Sequence, residues 1–81
     1  MGDYLNKMDE LYTMALQMLS DFGFSPELYI ITKRYESIDI EFDDRGAVDY
    51  FRQQTEIEYP NLLFVEYVKN GKRHMAKVQY W

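Results

Sequence analysis

The chain has 81 residues, no cysteine and a net charge of −5 at neutral pH. This length predicts one domain, and the lack of cysteine excludes a disulfide framework or a thiolate metal site. The negative charge disfavours non-specific binding to nucleic acid or anionic lipid, because both require positive potential. Since the sequence shows neither a secretory leader nor a long apolar run, we expect a cytoplasmic protein without a membrane span.

The charges are distributed unevenly along the chain. Residues 36–59 contain eight acids and two bases, whereas residues 60–81 contain one acid and four bases. The middle of the chain is therefore acidic and the C-terminal part is basic, which favours specific electrostatic contacts with a partner.

Residues 3–22 predict a long amphipathic helix. Its main apolar stripe recurs at steps of four and three, through Tyr4, Met8, Leu11, Ala15, Met18 and Phe22. A second row lies beside it, with Leu5, Tyr12 and Leu19 flanked by Met14 and Leu16. Together they span roughly 200° of arc, against the roughly 100° that a surface helix needs. We expect Asp3 to cap the N-terminus, Gly23 to end the helix, and some apolar surface to remain for a partner.

Residues 28–42 are rich in Ile, Tyr and Thr, which favours strands. One strand of this length is too long for so small a domain, so we divide it into strands at about 28–34 and 37–42. In the second strand the apolar residues alternate with Asp39 and Glu41, which places the two acids on the opposite face.

The segment at about 45–56 is ambiguous. Gly46 in a bulge would lead to a strand at 47–54. Alternatively, Asp43 or Asp44 caps a short helix that buries Ala47, Val48 and Phe51. Because Ala47 and Val48 are adjacent apolar residues, which breaks strand alternation, we favour the helix.

Residues 62–81 predict a hairpin around Asn70-Gly71, a strong signal for a type I′ turn. A two-residue loop would pair Tyr67 with His74 and Val65 with Ala76. The helix-facing side would then contain Leu63, Val65, Tyr67, Ala76, Val78 and Tyr80, and the other side Leu62, Phe64, Val68 and Met75. The second side is too apolar to be only solvated.

These elements predict an α+β fold in a single globular domain, 1–81. A long N-terminal helix packs on an antiparallel sheet of four strands made of hairpins, with a short second helix between the hairpins. If 47–54 is a strand, the sheet has five strands.

The sequence contains no recognisable catalytic or cofactor signature, and we expect neither enzymatic activity nor a bound metal. His74 is the only histidine, and its neighbours in sequence supply neither a carboxylate nor further ligands. The acids of the middle segment lack the ligand spacing and closing Glu of a calcium-binding loop. We therefore expect His74 to be solvated or to face a partner.

The best candidate for a partner-binding site is the acidic segment, with Asp39, Glu41, Asp43, Asp44 and Asp49. Alternate strand positions lie roughly 6.5–7 Å apart, close to the phosphate spacing along one DNA strand. In size and composition the chain is similar to small phage-encoded inhibitors of host defence nucleases, although no residue motif carries that likeness.

Tyrosines are abundant and are enriched at binding hot spots, and we expect Tyr29, Tyr35 and Tyr50 to be the exposed ones. The leading hypothesis is a non-enzymatic protein-binding module, such as an inhibitor of a larger and nucleic-acid-handling target with a basic surface. The alternative is a structural homo-oligomer that uses its extra apolar surface as a dimer interface. An enzyme using His74, or an RNA-binding module using the basic hairpin, is the third alternative.

Overall fold

A computed structural model describes the backbone of residues 2–80 and the side chains of residues 7–80. The elements in chain order are α1 (Gly2–Asp21), a 3₁₀ turn (Pro26–Leu28), β1 (Tyr29–Lys33), β2 (Ile38–Phe42), α2 (Arg45–Glu58), β3 (Leu62–Lys69) and β4 (Arg73–Tyr80). The predicted α+β class and the antiparallel four-stranded sheet are confirmed. Trp81, which the predicted hairpin included, lies outside the described residues.

The sheet has the strand order β1-β2-β4-β3, and every neighbouring pair is antiparallel. α1 packs on β1 and β2, whereas α2 packs on β2, β3 and β4. Buried residues of both helices join one hydrophobic cluster with side chains from a single face of the sheet. The described chain thus forms two layers, and neither described helix covers the second face.

α1 ends in the way that Gly23 predicts. Gly23 has φ +90°, a left-handed conformation that glycine adopts without steric cost. The Gly23 N–H donates to the Ser20 carbonyl and the Phe24 N–H donates to the Leu19 carbonyl, which together form a Schellman motif. The start differs from the prediction: α1 begins at Gly2, so Asp3 lies inside the first turn and is not the N-cap.

The wide apolar arc of α1 is used within the domain. Met8, Leu11, Ala15, Met18 and Leu19 are buried, and the flanking Tyr12, Met14, Leu16 and Phe22 are half-buried. The side chains of Tyr4 and Leu5 are outside the described ones. Over residues 7–21, α1 therefore does not provide the exposed apolar surface that its pattern predicted.

The ambiguous segment is a helix, as we favoured, and a fifth strand at 47–54 is excluded. The Asp44 carboxylate accepts a hydrogen bond of 2.8 Å from the Ala47 N–H, which makes Asp44 the N-cap of α2. Val48, Phe51 and Thr55 form the buried row. Phe51 lies at the centre of an aromatic cluster, with ring centroids 5.4–6.2 Å from those of Phe22, Phe24, Phe42 and Phe64.

The register predicted for the second hairpin is wrong by one residue. The predicted turn is present, since Asn70 and Gly71 both have positive φ (55° and 70°), and the Lys72 N–H donates to the Lys69 carbonyl. However, Lys72 is an additional loop residue, so Lys69 pairs with Arg73 and Val65 pairs with Lys77. A shift of one residue reverses the two faces of a strand relative to its neighbour.

The shift reverses β3. Leu62 and Phe64 now share the helix-covered face with Ala76, Val78 and Tyr80, whereas Leu63, Val65 and Tyr67 turn to the uncovered face. His74 lies opposite Val68 and not opposite Tyr67.

Candidate protein-binding surface

The face of the sheet that the helices leave uncovered, hereafter the open face, is a mixed apolar and charged surface. Strand alternation and the observed pairing assign to it Ile30, Thr32, Asp39, Glu41, Leu63, Val65, Tyr67, Lys69, Arg73, Met75, Lys77 and Gln79. Its strands bring together three bases and two acids, although the whole chain is acidic. Because α2 separates β2 from the β3–β4 hairpin in the sequence, the sequence alone does not show that these acids and bases share one face.

Asp39 lies at the polar centre of the open face and is only 6% exposed. Its carboxylate accepts hydrogen bonds from Arg34 Nε at 3.2 Å, from Ser37 Oγ at 3.3 Å and from Tyr67 Oη at 3.5 Å. A buried carboxylate requires such partners, because removing it from water is otherwise costly. These three side chains connect the β1–β2 turn, β2 and β3 through one acid.

Tyr67 lies across the open face. It pairs with Met75 on β4, while its hydroxyl reaches Asp39 on β2, and the Lys77 ammonium is 5.9 Å from its ring centroid. Met75 is only 5% exposed although no helix covers it, which is consistent with cover by the Tyr67 ring. Burial, with the neighbouring Asp39 carboxylate, raises the pKa of the Tyr67 hydroxyl above its ordinary value.

The acidic segment does not form one continuous surface. On the open face Glu41 forms an ion pair with Arg73 at 3.5 Å, and Asp39 contacts Arg34. Asp44 caps α2, and Asp49 lies on that helix between Arg45 and Arg52, 3.9 Å from each. Asp43 is exposed at the start of α2.

The predicted tyrosines also lie in different environments. Tyr35 is 71% exposed in the β1–β2 turn, and Tyr50 is 45% exposed on α2, with its ring 5.9 Å from that of Phe24. Tyr29 is half-buried and packs against the hydrophobic core from β1, so its predicted exposure is wrong. A binding role of the predicted acids and tyrosines stays a prediction.

Exposed apolar side chains lie at both edges of the sheet. Ile30 on β1 is 63% exposed, and Val65 and Val68 on β3 are 41% and 55% exposed. Ile30 and Val65 belong to the open face, at opposite sides of the polar centre. Sequence reasoning placed Val65 in the core and missed this site, because the missed loop residue Lys72 determines which way β3 faces.

A groove of about 760 Å³ runs between α2 and the outer half of β3. Its lining includes Arg45, Arg52, Phe64, Glu66, Val68 and His74. Arg52 lies 3.7 Å from Glu66, while its buried Nε has no hydrogen-bond partner. His74, the only histidine in the sequence, is half-buried and lines the same groove as the Arg52–Glu66 ion pair.

Among the described side chains, no group of three or more His, Cys, Asp or Glu residues is arranged to hold a metal ion. No helix in residues 2–80 is long and apolar enough to cross a membrane. Comparisons with protein-family models, with curated proteins and with solved structures find no match to this chain.

Proposed function

We propose that this chain is a small non-enzymatic module that binds another protein, and that it inhibits a larger target by covering one of its surfaces. The observation that carries the proposal is the open face, where Ile30 and Val65 remain 63% and 41% exposed on a sheet without a second helical layer. Exposed apolar side chains around a polar centre are a common arrangement for protein recognition.

The polar centre of the open face supports binding more than catalysis. Arg34, Ser37 and Tyr67 all direct their polar atoms to the Asp39 carboxylate. A nucleophile, acid or base needs access to a substrate, whereas these groups use one another as partners. Such a network provides a rigid surface that a partner can cover without leaving Asp39 unpaired.

The partner that we propose is a protein with an apolar patch that meets the open face and a separate basic region that meets the carboxylates before α2, since the open face itself has more bases than acids. Exposed carboxylates such as Asp43 and Asp44 attract a basic surface and raise the association rate, while desolvated apolar contacts supply most of the affinity. Mimicry of a DNA strand is less well supported, because Asp39 and Glu41 already have cationic partners.

The apolar part of the proposal is tested by affinity capture from host extract with three baits: the unmodified chain, Ile30→Asp and Ile57→Asp. Ile57 is a matched control, since it is 71% exposed but lies on α2 and not on the sheet. We expect one partner to be captured by the unmodified chain and by Ile57→Asp, and to be lost with Ile30→Asp. Equal capture by all three baits would contradict binding through the open face.

The electrostatic part is tested with the double variant Asp43→Asn/Asp44→Asn. Asparagine is as good an N-cap as aspartate, so α2 should remain intact while two charges are removed. We expect a slower association with the captured partner and a weaker dependence on salt, with a smaller change in the dissociation rate. An unchanged association rate would remove electrostatic steering from the proposal.

A further inference from the structure

β3 is an eight-residue edge strand, and before its last residue its only charged side chain is Glu66, which lies 3.7 Å from Arg52 of α2. Leu62–Lys69 contains no proline, and its pairing with β4 runs without a bulge from Leu62–Tyr80 to Lys69–Arg73. Its only lysine is at its end. An exposed edge strand pairs readily with another strand, because the N–H and C=O groups on its outer side have no neighbouring strand to bond to.

The other edge strand is shorter than β3 and is attached to the neighbouring parts of the domain. β1 has five residues, ends in Lys33 and is contacted by the 3₁₀ turn that precedes it. Lys33 also pairs with Asp9 of α1, which ties this edge to the helical layer. β3 is therefore the edge more suited to strand addition.

We infer that two copies of this chain associate by antiparallel pairing of their β3 strands around a twofold axis at Val65. This register opposes Val65 to its own copy, Leu63 to Tyr67, and Leu62 to Val68. Each of these pairs joins apolar or aromatic side chains, and the exposed Val65 and Val68 both become covered. The symmetry is that of an isologous dimer.

The charges around β3 permit a second copy at this position and determine the register. Glu66 opposes Phe64 in the proposed register, whereas an axis at Glu66 would place two carboxylates directly opposite each other, which is unfavourable. On the neighbouring side of α2 the charges also balance, with Arg45 and Arg52 alternating with Asp49 and Glu56. The excess of acid lies elsewhere, so self-association at β3 brings no large like-charge surfaces together.

The groove between α2 and β3 provides space for this approach. It lies alongside Glu66 and Val68, where the proposed register positions the second copy's Phe64 and Leu62. The product is an eight-stranded sheet with all four helices on one side. Its open face is continuous across the axis, so the dimer would present the proposed target-binding surface twice. Self-association does not depend on whether a target is found.

The experiment uses the fact that a residue on a twofold axis meets itself. Val65→Lys and Val65→Glu each place two like charges in contact, and we expect each variant to weaken self-association by roughly tenfold or more. An equimolar mixture should recover dimers that contain one chain of each kind, because Lys then opposes Glu. Because lysine and glutamate residues have nearly equal masses, one variant is uniformly labelled with heavy nitrogen, so that native mass spectrometry resolves the mixed dimer, and analytical ultracentrifugation measures its stability. Ile30→Lys and Ile30→Glu are matched controls on the β1 edge, and they should leave self-association unchanged.

Fold integrity is checked by circular dichroism, and hydrogen exchange provides a second measurement on the unmodified chain. We expect β3 amides to become more protected as the concentration rises, while β1 amides do not change. A chain that is monomeric at high micromolar concentration, dimers that persist in the single variants, or separate variants that fail to form mixed dimers would overturn the inference. Binding of an unrelated extended peptide at β3, with no self-association, would also overturn it.

Discussion

The two faces of the sheet differ in how they are stabilised. On the covered face, Phe51 and Phe42 are buried, Phe22, Phe24 and Phe64 pack around them half-buried, and the two helices supply an apolar layer. On the open face, the buried side chains Asp39 and Met75 are covered only by their neighbours on the sheet and in its turn. Burial of apolar surface therefore stabilises the covered face, whereas directional polar contacts contribute more to the open face. The covered face therefore supplies most of the apolar burial, and the open face leaves exposed apolar side chains such as Ile30 and Val65.

The largest effect is expected on the covered face. Phe51→Ala removes a fully buried ring that contacts four other aromatic rings, and it should lower the free energy of unfolding by about 3–5 kcal/mol. Urea denaturation followed by circular dichroism measures the change. Ile57→Ala, at an exposed position of the same helix, should change it by less than about 0.5 kcal/mol. Equal effects of the two substitutions would mean that α2 does not pack as described.

A smaller effect is expected at the polar centre of the open face. Asp39→Asn keeps the size of the side chain but weakens the contact with Arg34 and the hydrogen bonds from Ser37 and Tyr67. We expect a loss of about 1–3 kcal/mol, since Arg34 is itself half exposed and can be solvated. Asp43→Asn is the control at an exposed position and should be nearly neutral. If Asp39→Asn is equally neutral in urea denaturation, the network does not stabilise this face.

The stability of the folded chain should depend on pH through the Tyr67 hydroxyl. Because its pKa is raised in the folded state, the folded chain retains the proton when the unfolded chain loses it, and stability falls as the pH rises above about 10. Tyr67→Phe removes this part of the decline and should cost about 0.5–1.5 kcal/mol at pH 7 through the lost hydrogen bond.

The measurement for Tyr67 compares the two chains in urea at pH 7 and above pH 10. The difference in stability should shrink at the higher pH, and Tyr80, whose pKa is raised by burial and by Glu10, contributes equally to both chains. A constant difference at both pH values would show that folding does not raise the pKa of the Tyr67 hydroxyl.

The smallest effect on stability is expected at the edge of the open face. Ile30→Asp replaces a side chain that is 63% exposed, but the new carboxylate lies opposite Glu41 on β2, so we expect a loss of about 0.5–1 kcal/mol. The same substitution is expected to abolish target capture. A large loss of stability would place Ile30 among residues that support the fold and would leave its role in recognition without support.

Local patterns predicted much of the architecture. The stripe of α1, the helix end at Gly23 and a cap at Asp43 or Asp44 depend on residues a few positions apart, and the structure shows a Schellman motif at Gly23 and identifies Asp44 as the cap. The hairpins were equally accessible, because their turns separate short strand-like segments. Nothing local reveals that Arg34 and Tyr67 both contact Asp39, since the strands of the sheet bring them together only after folding.

The open face was the least accessible part of the sequence analysis. Asn70-Gly71 predicts the right turn, but it does not reveal that Lys72 also belongs to the loop. Both alternating sets of β3 are apolar, with Leu62 and Phe64 in one and Leu63 and Val65 in the other. Hydrophobic pattern therefore could not determine which set faces the helices, and the candidate surface was placed on the wrong side of β3.

Both proposals depend on the register of β3 against β4, because this register turns Leu63, Val65 and Tyr67 to the open face. Cross-strand contacts between α-protons in an NMR spectrum test this register most directly. Such contacts are short only in the non-hydrogen-bonded pairs of an antiparallel ladder, so we expect them in one alternate set of the observed pairs, which contains either Tyr67 with Met75 or Phe64 with Val78. Contacts of Tyr67 with His74, or of Val65 with Ala76, would contradict this register and would turn these side chains towards the helices.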